Sequence, residues 1–315
     1  MNFLAKNIIA TVIYYDILNY PLTSFEIWKY LISSQETRKS EQKKVSLFDV
    51  IKNLENEELR QYFEEYQGFY FLRGRKKLVE QRIERNKISE NKFRIIKKAV
   101  WFLRFSPFIR MIAVTGRIAM KNADKKSDLD LLIALKKNRI FIGRILATAI
   151  VHILGIRRYK NKITDRICLN YFITNKSLEI SLKDLFSSSE YFFAVPVFGW
   201  ETFRDFHKKN DWIRNYRPNF EPRCINSLKL IEDSNFSKFT RKAGEILIGW
   251  NFIENIFKKI QTKRIDRDPR THKAGSFVTA SNNELVFLPN PQGPEVFSIF
   301  EEKMRKMINK NMFSK

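Results

Sequence analysis

The chain has 315 residues, enough for two or three domains of ~100–200 residues, and its 58 Lys and Arg against 34 Asp and Glu leave a net charge of +24. A hydrophobic fraction of 44% with 10 Gly and 9 Pro excludes a disordered or fibrous chain, and the charge points to a polyanionic partner or substrate. Cys168 and Cys224 are too few for a disulfide scaffold, and His152, His207 and His272 are too scattered for a zinc site, so a reducing, cytoplasmic setting is expected.

Apolar residues at helical spacing from Phe3 to Leu18 predict a first helix, which Tyr20-Pro21 ends. Thr23-Ser-Phe-Glu26 is a capping box that opens a second helix with Phe25, Ile27, Trp28 and Leu31 on its buried side. Ser46-Leu-Phe-Asp49 opens a third, with Leu47, Val50, Ile51 and Leu54 inward, and Gln61 to Leu72 reads as a hairpin. Three helices closed by a hairpin are the order of a winged helix; a small helical packing domain shares that order. Arg73, Arg75, Lys76 and Lys77, just beyond the hairpin, suit phosphate contacts. Asp49, Glu55, Glu57 and Glu58 crowd the third helix with negative charge and argue against docking in a DNA groove. Residues 1–75 are therefore read as a winged-helix-like domain with a packing or RNA-contacting role. Residues 76–107 follow as a helical connector, broken at Ser89, that exposes Arg82, Arg85, Lys92 and other basic residues and stops at Ser106-Pro107.

Phe108 to Thr115 reads as a buried strand ending at Gly116, where the chain turns into a short polar helix. Glycine lets an anion come close, and the start of a helix presents unpaired N–H groups. The next strand, from Asp128 to Leu135, has period two, so Asp128 and Asp130 point one way while Leu129 and Leu131 point the other. Two ionised carboxylates that close repel each other. A divalent cation neutralises them, and hard oxygen ligands beside a phosphate favour Mg²⁺. The apolar stretch from Ile140 to Ile156 contains Arg144 and His152 and is short for a span of ~20 residues, so no membrane is expected; it reads as a helix on the sheet, with His152 partly buried. Arg157 to Lys162 is a basic loop able to steer a nucleotide or simply to face solvent. Arg166 to Thr174 forms the following strand, with Asn170 as its central polar residue.

This succession of strand, glycine turn, helix and Asp-x-Asp strand resembles the nucleotidyltransferase superfamily of DNA polymerase β type. Its signature is hydrophobic-Gly-[Gly/Ser], a spacer, then Asp-hydrophobic-[Asp/Glu]-hydrophobic. Gly116-Arg117, the residues Ile118 to Ser127, and Asp128-Leu-Asp-Leu131 fit that frame, and the resemblance covers residues 108–180. It implies that Asp128 and Asp130 hold Mg²⁺, that Gly116, Arg117 and Ser127 bind the nucleotide, and that a nucleoside monophosphate moves from a nucleoside triphosphate to an acceptor not named by the sequence. Two positions depart from the family. Arg117 stands where Ser is usual and would bind phosphate through a charged fork. Asn170 occupies the place of a third, catalytic carboxylate, and asparagine cannot take a proton near neutral pH. Asp165 and Glu179 flank that strand. The alternative is a non-catalytic nucleic-acid-binding or regulatory protein that retains a degenerate fold of this type.

Residues 181–263 turn helical and aromatic, resembling the acceptor-binding modules of that superfamily. Their last helix, Phe236 to Ile260, is expected to bury Phe239, Ile246, Leu247, Trp250, Ile253, Ile256 and Phe257. Residues 264–315 read as a loosely packed extension with one hairpin strand, Glu284 to Leu288, and a helix from Glu295. The fold class is α+β: a winged-helix-like domain, a central α/β sheet domain and a C-terminal helical module. The expected partners are a nucleoside triphosphate and RNA or another polyanion.

Overall fold

Local signals place the first elements of the computed structural model, which describes residues 2–33, 45–222 and 228–312; Cys224 lies outside them. Helix α1 (Phe3–Ile17) is followed by β1 (Leu22–Thr23), α2 (Ser24–Lys29), α3 (Leu47–Leu54), α4 (Glu57–Arg60) and the hairpin β2 (Phe63–Tyr66) and β3 (Phe69–Leu72). Both capping boxes form, Thr23 with Glu26 and Ser46 with Asp49. The hairpin takes β1 as a third strand in the order β1-β3-β2. Phe25 and Ile51, expected inside, are exposed. Helices of one or two turns can cover only a narrow face, here Ile27 in α2 and Val50 with Leu54 in α3.

Helix α5 (Lys77–Leu103) runs unbroken through Ser89. That buried hydroxyl donates to the Arg85 carbonyl (2.7 Å) and accepts from the Ala123 amide (3.0 Å), so it ties the helix to the sheet domain instead of breaking it. Several cations expected in solvent are used internally. Arg75 pairs with buried Asp16 (2.6 Å), Arg82 with Glu26 (2.5 Å), and Lys92 is 4% exposed.

Beyond it come β4 (Ile109–Val114), α6 (Gly116–Ala119), β5 (Leu129–Leu135), α7 (Ile140–Ile153), β6 (Ile167–Thr174), α8 (Leu185–Phe193), β7 (Val195–Phe198) and α9 (Trp200–Lys209). Then follow α10 (Asn235–Ile248), α11 (Asn251–Asp266), β8 (Phe277–Ala280), β9 (Glu284–Leu288) and α12 (Gly293–Met312). One sheet has the order β7-β4-β5-β6-β9-β8. β5 and β6 are parallel because α7 carries the chain back between them, and the other pairs are antiparallel. The fold is thus α+β, but its sheet does not stop at residue 180. β7 joins β4, and β9 joins β6 with Leu285 and Val286 buried, so the last segment is not a loose extension.

The helix expected at Phe236 to Ile260 is two helices separated at Gly249–Trp250, and Phe239, Ile246, Leu247, Trp250 and Ile256 stand exposed instead of buried. His152 is exposed too: Val151 takes the inward position at the end of α7, and the next residue rotates away. Among the described residues, no helix is long and apolar enough to cross a membrane.

Candidate active site

β4 and β5 pair from Ile109↔Leu135 to Val114↔Leu131, which brings the end of β4 beside the start of β5. The Thr115 amide donates to the Asp130 carbonyl (3.1 Å). Gly116 then turns with φ +63°, a conformation that disfavours side chains, and a Cβ there would lie 2.7 Å from Asp130 Oδ2. Close approach, as well as the turn itself, therefore requires glycine. Gly116→Ala is expected to cost ~1–2 kcal/mol from the backbone alone and to turn the Asp130 carboxylate aside. Denaturant midpoints at unchanged m-value, with Mg²⁺-dependent nucleotide affinity measured alongside, check both effects.

Asp128 and Asp130 do come together, and the third side chain beside them is Cys168. One ligand atom from each lies within 4.8 Å of the others. The β6 residue paired with Asp130 is Cys168, two positions before Asn170. β6 pairs Asp130↔Cys168 and then Leu132↔Tyr171, so two steps on β5 meet three on β6, and Asn170 falls in the resulting bulge. Arg158 closes the cluster, meeting Asp128 Oδ2 at 2.6 Å and Cys168 Sγ at 3.4 Å.

The other expected residues lie at the border. The Ser127 hydroxyl donates to Asp124 (3.1 Å), and Arg117 reaches the same carboxylate (3.1 Å), so both hold the loop before β5. Buried Lys92 pins that loop from behind, donating to the carbonyls of Lys125 (3.2 Å) and Ser127 (2.9 Å) and to Asp165 (2.5 Å). Asp165 pairs with Lys92, and Glu179 pairs with Lys183 at the surface.

A carboxylate that sequence reasoning missed arrives from α8. Glu190 is close enough for its charge to act on Asp130. Burial pushes the Glu190 carboxyl up to about 7, while the neighbouring Thr115 side chain favours its ionised form. Burial, then the charges of Asp128 and Glu190, push Asp130 up to about 8, while the bond from Cys168 and the charge of Arg158 pull the other way. Burial also raises the Cys168 thiol. The sequence signal for Glu190 is an acid set among buried Ser187, Ser188, Ser189, Tyr191, Phe192 and Phe193, where solvation by water is limited.

Chemically, this is a group of closely spaced carboxylates, partly neutralised by one guanidinium, beside a glycine turn. No protein-family model matches the chain, and no curated protein or solved structure matches it either.

Proposed function

We propose that the chain is a Mg²⁺-dependent nucleotidyltransferase that moves a nucleoside monophosphate from a nucleoside triphosphate to an acceptor. The observation that carries this reading is the grouping of Asp128 with Asp130 at the start of β5, Asp130 lying against the Gly116 turn, whose missing side chain leaves room at Asp130 Oδ2. The donor set suits the ion: Asp128 and Asp130 supply hard oxygens, and the raised thiol of Cys168 stays protonated and ligates poorly. Mg²⁺ held there would neutralise the carboxylates and stabilise charge on the transferred group.

The chain's own residues do the rest. Gly116 admits a phosphate oxygen next to β5. Arg117 and Arg158, with side chains 55% and 41% exposed, can leave Asp124 and Asp128 and bind the triphosphate through their forked donors. Glu190, with its carboxyl near 7, is poised to take the proton of the acceptor, a role that Asn170 cannot fill. The same reading treats the α1–β3 unit as winged-helix-like, takes RNA or another polyanion as the macromolecular partner of a +24 chain, and sets the protein in the reducing cytoplasm, where Cys168 stays a free thiol.

One observation favours a second reading. Arg158 already sits on Asp128, so a guanidinium could stand permanently where an ion would bind, in a nucleic-acid-binding or regulatory protein without metal chemistry. Calorimetric titration of nucleoside triphosphates with and without Mg²⁺ separates the two. Tighter binding with Mg²⁺, followed by label transfer from an α-labelled nucleotide, is expected. Affinity indifferent to Mg²⁺ would give the second reading its support.

A further inference from the structure

Helices α10 and α11 are docked with their polar faces inward. On α10, Ser237 and Arg241 are buried; Arg241 reaches Asp233 and the Arg104 carbonyl (2.5 Å each). Glu245 binds Arg110 (2.7 Å), Lys136 (2.8 Å) and the Phe108 amide (3.2 Å). On α11, buried Glu254 accepts from the amides of Phe141 and Ile142 (3.0 Å each) at the start of α7, and Gln261 donates to the Phe141 carbonyl (2.8 Å). These contacts fix both helices by specific polar bonds.

The outward faces are consequently apolar. Phe239, Ile246, Leu247, Trp250, Phe252 and Ile256 are between 50% and 73% exposed. They stand opposite the buried residues of each helix and at the turn that joins the two, clustered in sequence between 239 and 256. The Trp250 indole N–H already donates to the Leu247 carbonyl (3.1 Å), so the ring can leave water without losing a bond.

Charge decides what covers this face. With Glu245 and Glu254 turned inward, the exposed charges on the two helices are Lys238, Lys242, Lys259, Lys263 and Arg264 against Asp266. A second copy of the chain would bring one positive rim against another. Nucleic acid would satisfy the lysines but leave Ile246, Leu247 and Ile256 against water. An anionic lipid surface satisfies both, because lysines meet its headgroups while Trp, Phe and aliphatic side chains enter the boundary beneath them.

We propose that α10 and α11 form a peripheral membrane-docking surface that seats Ile246, Leu247, Trp250 and Phe252 in the headgroup boundary of an anionic bilayer. It lies along that surface and crosses nothing. The proposal is independent of the nucleotidyltransferase reading. It is tested by co-sedimentation of the full chain with phosphatidylcholine vesicles, with and without phosphatidylglycerol, and by tryptophan emission. Binding to the anionic vesicles is expected, with a blue shift of the emission of the chain's five tryptophans that is lost with Trp250. The charge-neutral variant Ile246→Asn/Leu247→Asn/Trp250→Ser alters exposed positions, and circular dichroism checks its fold. It should bind the same vesicles on the order of a thousandfold more weakly, since each of the three buried apolar side chains is worth roughly a tenfold change or more. Three results overturn the proposal: no binding of wild type at low salt, undiminished binding by the folded variant, or a wild-type dimer that the variant dissociates.

Discussion

Asp130→Asn is expected to do two opposite things: stabilise the metal-free protein and weaken Mg²⁺-dependent nucleotide binding by more than ~100-fold, beyond the 10–100-fold loss typical of groups that only support a metal ligand. The stabilisation follows from linkage. The folded-state pKa of Asp130, about 8, lies above its ordinary 3.8. Its contribution to stability is therefore fully present below about pH 4 and is lost as the pH rises through 8, because the folded site must then hold a second charge beside Asp128. An amide of the same shape carries no such charge. At pH 8 without metal the variant should exceed wild type by on the order of 1–3 kcal/mol, a figure reduced from the full shift because water reaches the mouth of the site and screens it. At pH 4 the two should converge. Calorimetric unfolding at both pH values, with nucleotide titration in parallel, measures each effect. A variant less stable than wild type at pH 8 would mean that Arg158 fully compensates the carboxylates and that no ion is needed.

Glu190→Gln should lower the rate of nucleotidyl transfer by ~10²–10⁴, the usual worth of a general base, with smaller effects on nucleotide affinity. Burial raises the Glu190 carboxyl in the metal-free protein and bound Mg²⁺ would lower it, so wild-type activity should climb on the acid side of 7 and the variant should lose that limb. Asn170→Asp provides the contrast. It places a carboxylate in the β6 bulge and should leave the rate within about tenfold of wild type, below the range expected of a catalytic base. Single-turnover transfer of an α-labelled nucleotide across pH 5.5 to 8.5 distinguishes them, and a large gain in Asn170→Asp with no loss in Glu190→Gln would reverse the assignment.

What the sequence determined by itself was local. Two capping boxes, the period-two run through Asp128 and Asp130, and the glycine before a short helix each rest on contacts within a few residues. They marked helix starts, strand faces and the β4–Gly116–β5 order. Tertiary structure decided which side chains those elements meet. Register set Cys168 opposite Asp130 and left Asn170 in the β6 bulge that follows, because register between strands is a non-local property. Glu190 reached the site from a helix 60 positions downstream of Asp130, and β7 and β9 joined a sheet that seemed complete at residue 180. Lys92 looked like one more solvated cation until the Lys125 and Ser127 carbonyls and Asp165 enclosed it. The α10 and α11 helices show the physical reason most directly. Periodicity identifies two faces of a helix, but which face turns inward depends on partners elsewhere, and here Arg110, Lys136 and the start of α7 hold the polar one.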